Sequence, residues 1–98
     1  MRKKYRHKTL YDHFDRGDIE AMQFKYNAES TKELGEWMGS ALGPITKARY
    51  PGAKARLVIT GNTGYLVASE DSFIIKDKSG NFQPITEITF NTLYEEIE

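Results

Sequence analysis

RLVITGNTGYLVASEDSFIIKDKSGNFQPI, residues 56–85, contains the pattern that decides the fold. "RLVIT" (56–60) and "TGYLVAS" (63–69) are runs of β-branched and aromatic residues on either side of a glycine-rich turn. That is how a β-hairpin reads. "SFIIKD" (72–77), "KSGN" (78–81) and "FQPI" (82–85) repeat the arrangement, with Gly80-Asn81 supplying permissive backbone at the turn. Pro84 lacks an N–H and marks the end of its strand or a sheet edge. Two successive hairpins describe an antiparallel sheet, and such a sheet needs something apolar laid across one face.

The stretch before the hairpins supplies it. "NAESTKELGEWMGSALG" (27–43) changes the apolar period from two to that of a helix. Leu34, Trp37, Met38, Ala41 and Leu42 fall at i, i+3, i+4, i+7 and i+8, a single apolar stripe. Ser30 or Thr31 suits an N-cap, Glu33 completes a capping box with Ser30, and Gly43-Pro44 is the expected stop. Gly35 and Gly39, four apart, suggest a close backbone approach on the helix. Trp37 reads as core. "IEAMQF" (19–24) alternates as a strand with Met22 and Phe24 inward, and "ITKARYPGAKA" (45–55) is a loop around Pro51-Gly52. "TEITFNTLYEEI" (86–97) reads as a short turn of helix over 86–91 followed by a strand over 92–97. The expected fold is α+β: a small antiparallel sheet of about five strands packed against one amphipathic helix. Residues 1–18 form a basic polar arm, and 19–98 form a single domain.

Composition narrows the function classes. Ninety-eight residues make one small core, and fourteen basic residues balance fourteen acidic ones. With no cysteine there is no disulfide, thiolate nucleophile or cysteine-based metal site. The basic N-terminus has no apolar segment after it as a secretory signal would, and no apolar run approaches bilayer length. A membrane partner is therefore not expected. A core this small, without staples, points toward a homo-oligomer.

The charges are unevenly placed. Arg2, Lys3, Lys4, Arg6 and Lys8 crowd the N-terminus and alternate with Tyr5, a combination suited to phosphates and bases. Nucleic-acid binding through these six residues is one reading. Lys47, Arg49, Lys54 and Arg56 lie in a stretch from Trp37 to Ser69 that contains no acid. With Tyr50, and with Phe73 or Phe82 as an aromatic wall, they would suit an anionic, planar ligand such as a nucleotide, held in a pocket between subunits.

Chemistry finds less support. His7 and His13, with Asp12 and Asp15, fit no metal-ligand spacing. Asp71, Lys76 and Asp77 resemble an acid–base group only in composition, and no triad, zinc-protease or phosphate-loop pattern is present. "GNTG" (61–64) has no following lysine or helix. No catalytic residue, metal or cofactor is expected, and the chain is read as a non-enzyme.

Several pieces occur together in a known order. "KKYRHK" (3–8), "IEAMQF" (19–24), "ELGEWMGS" (33–40) and "ASEDSFIIKDKSGNFQPITEITFNTLYEE" (68–96) resemble the arm, strand, helix and C-terminal segment of a family of small bacteriophage and prophage proteins. Those proteins carry a "KYRKKP"-like arm, "IEAxQF", "EWxGG" and a terminal "GDWIIK" segment. This chain departs from them at Glu70, where the family has glycine, and at Phe73, where it has tryptophan. Residues 9–18 look inserted, and the proline after the arm is missing. The resemblance implies a phage source and no catalytic residues. It also implies an accessory protein in the host cytoplasm that blocks or sequesters a host component, either a defence protein or a nucleotide-like signal. A virion or assembly component is the further alternative.

Overall fold

The computed structural model describes residues 3–7, 19–61, 64–77 and 79–96. The elements follow in the order β1 (Lys3–His7), β2 (Ile19–Gln23), α1 (Ala28–Met38), a 3₁₀ turn (Gly39–Ala41), β3 (Leu42–Thr46), β4 (Arg56–Gly61), β5 (Gly64–Ser69), β6 (Phe73–Lys76), β7 (Phe82–Ile85), α2 (Glu87–Leu93) and β8 (Tyr94–Glu96). The fold is α+β. Its antiparallel strands form a five-stranded sheet in the order β7-β6-β2-β1-β8 and a three-stranded sheet in the order β3-β4-β5. Both expected hairpins form, β4 with β5 and β6 with β7.

Lys3–His7, read from the sequence as part of an arm, is a strand held between β2 and β8. Its charged residues obscured its β character, and the strands flanking it come from distant parts of the chain. Residues 8–18 lie outside the described residues, and with them most of the expected arm.

Helix α1 begins earlier and ends earlier than its pattern suggests. Asn27, not Ser30 or Thr31, is the N-cap: its side-chain carbonyl oxygen accepts a 2.7 Å bond from the Ser30 N–H. The Ser30 hydroxyl instead accepts from the Lys25 N–H at 3.1 Å, tying the helix start back to the end of β2. The helix stops at Gly39, whose φ of 58° and ψ of −126° suit a residue without a Cβ. Ala41 and Leu42 therefore leave the helix, and Gly43-Pro44 lie inside β3. The close approach expected at Gly35 and Gly39 occurs at Gly43, where an added Cβ would sit 2.9 Å from the Val58 carbonyl oxygen of β4. Beside it the β3–β4 register shifts between Leu42 and Ile45, and Pro44 sits on a strand at the sheet margin, where a missing N–H is tolerated.

The main core lies between α1 and the two sheets. Leu34, Trp37 and Met38 of the helix stripe meet Met22 and Phe24, Ile74 of β6, Leu57 and Ile59 of β4, and Ala68 of β5. The opposite face of the large sheet is covered as well. α2 crosses it from β7 to β8, setting Phe90 (1% exposed) against Phe73, Tyr5 and Tyr94. Ala21 is buried too, so β2 is covered on both faces. No helix among the described residues is long and apolar enough to cross a membrane.

Candidate functional site

The basic residues of the acid-free stretch lie on the loop between β3 and β4 and at the first residue of β4. Tyr50-Pro51-Gly52-Ala53 is a β-turn closed by the Ala53 N–H donating to the Tyr50 carbonyl at 3.0 Å, with Gly52 at φ 89°. Lys47, Arg49, Lys54 and Arg56 are all exposed, and Tyr50 is 67% exposed. The flanks are fixed by the β3–β4 pair Thr46–Arg56 and by buried Ala55.

One carboxylate anchors the loop. Asp71 accepts from the Lys25 ammonium at 2.7 Å and from Lys54 at 2.9 Å. The hydrogen bonds from Lys25 and Lys54 hold its carboxyl below the usual aspartate range, and the reciprocal bond to Asp71 raises each lysine. The backbone is equally committed. The Asp71 N–H donates to the Phe24 carbonyl at 2.8 Å, its carbonyl accepts from Gln23 Nε2 at 2.8 Å, and its φ is 79°. Gln23 also donates to Glu87 of α2 at 2.9 Å. One polar knot thus joins the end of β2, the loop, the turn before β6 and the start of α2.

Lys54 is held by this knot. The side chains of Lys47, Arg49, Tyr50 and Arg56 have no hydrogen-bond or ion-pair partner among the described residues. The sequence reading grouped Asp71 with Lys76 and Asp77, which the structure separates. The Lys76 ammonium stands 5.7 Å from the Phe82 ring centre, and the Asp77 carboxylate accepts from the Asn81 N–H and from Gln83 within the β6–β7 hairpin. Lys25 was overlooked because nothing local in the sequence relates it to residues 54 and 71.

The two aromatic residues assigned to the loop lie elsewhere in the chain. Phe73 stacks on Phe90 at 4.0 Å on the α2 side of the large sheet. Phe82 packs edge-on against Trp37 at 5.0 Å on the α1 side. Trp37 is core, as its spacing indicated, and its indole N–H donates to Glu20 at 3.1 Å. A half-open groove of about 730 Å³ runs between the β4–β5 hairpin and β7, lined by Ile59, Tyr65, Leu66 and Phe82 among others. A smaller one of about 420 Å³ lies near Tyr5, Gln23 and Lys25. Neither is lined by a residue of 47–56.

Of the N-terminal basic set, Arg2 and Lys8 lie outside the described residues, and Arg6 is described by its backbone alone. Lys3 and Lys4 are exposed, with Lys3 3.5 Å from Glu96. Tyr5 packs edge-on against Phe90 at 4.7 Å, and burial raises its phenol pKa, with Glu96 adding to the shift. His13, Asp12 and Asp15 lie outside the described residues, and among those described no group of carboxylates and imidazoles is arranged to hold a metal. Comparison with known protein-family models, curated proteins and solved structures finds no match to this chain.

Proposed function

We propose that this is a phage-encoded accessory protein that acts by non-catalytic binding, using the loop at 47–56 to engage an acidic surface on a host protein. The observation that carries this reading is the set Lys47, Arg49, Tyr50 and Arg56: exposed, with side chains unpaired among the described residues, and mounted on a loop and the first residue of the strand that fixes its base. Loops positioned by a rigid scaffold are where binding residues concentrate. Arginine beside an aromatic ring favours carboxylates presented on a surface, through forked hydrogen bonds plus stacking. The loop is exposed and lines neither groove, which favours a macromolecular face over a small ligand. The phage source comes from the resemblance and makes a host protein the partner class.

The test pairs wild type with Arg49→Glu/Arg56→Glu. Wild type is expected to retain one stoichiometric host protein with a salt-sensitive affinity, and the variant to lose at least tenfold in affinity with an unchanged melting temperature. Equal retention by both proteins overturns the reading. Calorimetric titration with linear and cyclic nucleotides is expected to be flat; a saturable heat that the variant abolishes would move the target to a nucleotide.

A further inference from the structure

Among the described residues four strands lie at sheet margins, and three of them are poor partners for another strand. β7 carries Pro84, and β3 carries Pro44 beside its register shift. β8 has three residues, two of them Glu95 and Glu96. Prolines, irregular register, shortness and charge are the usual means of protecting an edge. β5 has none of them. Gly64–Ser69 contains no charge and no proline, and Tyr65, Leu66 and Val67 are 71%, 48% and 46% exposed.

The backbone of β5 is also available. Among the described residues β4 is its only hydrogen-bonded neighbour; β7 of the other sheet lies across the groove from it without a backbone hydrogen bond. The Glu70 N–H donates to Ala55 on the β4 side at 2.8 Å. Antiparallel pairing alternates, so Leu66 and Ala68 also turn their polar groups toward β4, while Tyr65 and Val67 turn theirs outward.

We propose that β5 is a self-association edge, at which two copies of this chain pair antiparallel about Leu66 and join their three-stranded sheets into one. The occupant follows from charge. A two-fold contact sets each residue against itself or its mirror neighbour. On β8 that would oppose carboxylates, whereas on β5 nothing repels. A partner selected by charge would go to the basic loop at the other end of β4. Centred on Leu66, the strand matches itself: Tyr65 faces Val67 of the partner subunit in a hydrogen-bonded pair, and the two Leu66 side chains meet in the closer, non-bonded pair. This surface and the basic loop are separate, so either assignment can fail without the other.

Analytical ultracentrifugation of the full chain over a wide concentration range is expected to show a reversible species at twice the 11.2 kDa chain mass. Val67→Lys should be monomeric throughout with a retained circular-dichroism spectrum. Ile88→Lys, which places the same charge on an 82% exposed position of α2, should still dimerise. Because the chain has no cysteine, Leu66→Cys introduces a lone thiol and should form a covalent dimer under mild oxidation, much faster than Ile88→Cys. That cross-link also decides the matter if Val67→Lys does not fold. A wild type that stays monomeric, a dimer that survives Val67→Lys, equal cross-linking at 66 and 88, or assemblies larger than two would each overturn the proposal.

Discussion

Asp71 shows how one residue holds the basic loop in place. It occupies a left-handed conformation that costs a non-glycine residue roughly 1–2 kcal/mol. In return, its carboxylate receives two ammonium groups and its peptide joins two strands. The carboxyl pKa is depressed, so the stability from these contacts is present above the ordinary aspartate value and is lost as pH falls through the lower folded value. The lysine pKa values are raised, so their share is present below the ordinary lysine value and is lost as pH rises through the higher folded ones. Asp71→Asn keeps a side chain that tolerates the same backbone but removes both ion pairs. Thermal melting of wild type and Asp71→Asn should therefore differ most between these limits, and the two curves should converge in strong acid. A constant difference down to the lowest pH would show that the ion pairs contribute nothing.

At the scale of elements, α1 separates what periodicity encodes from what it does not. Its stripe of Leu34, Trp37 and Met38 was legible because those residues share one face and all become buried. Its ends were not legible. Asn27 takes the cap because its oxygen reaches the Ser30 N–H, while the nearby Ser30 hydroxyl is used by Lys25. Asn27→Ala should cost about 1 kcal/mol in denaturant unfolding. At the other end Gly39 breaks the helix while apolar spacing continues through Ala41 and Leu42, so a strand start reads as a last helical turn. The hairpins were easier, since their turns and strands are neighbours in sequence. β1 was missed for the opposite reason, as both of its partners are remote.

Over the whole molecule, the basic loop was recognisable because a long stretch without acid is a local property of sequence. Phe73 and Phe82 were attached to it because they are nearby aromatics. Which sheet face each one joins is settled by long-range pairing: Phe73 opposite Gln23, and Phe82 opposite Lys76. The burial of Ala21 likewise depends on α2 crossing the far face, which alternation in β2 could not reveal. The two sheets share one core through Leu57, Ile59, Met22 and Ile74. Leu57→Ala should therefore cost about 2–5 kcal/mol. It should also leave a single transition, with Trp37 fluorescence and the near-ultraviolet signal of the Tyr5–Phe73–Phe90–Tyr94 cluster moving together. Separate transitions for the two signals would mean that the sheets unfold independently.

The pairing of β1 with β8, Tyr5 opposite Glu96, sets the order in which the chain can fold. The β4–β5 and β6–β7 hairpins close short loops and can form as soon as each is made. The larger sheet closes only after nearly the whole chain has been searched for that contact, and such distant pairings slow folding. During synthesis β1 is made long before β8 and must wait for it. A nascent chain halted before β8 would carry β1 with one side open, so aggregation of truncated products is the cost of pairing two strands so far apart in sequence.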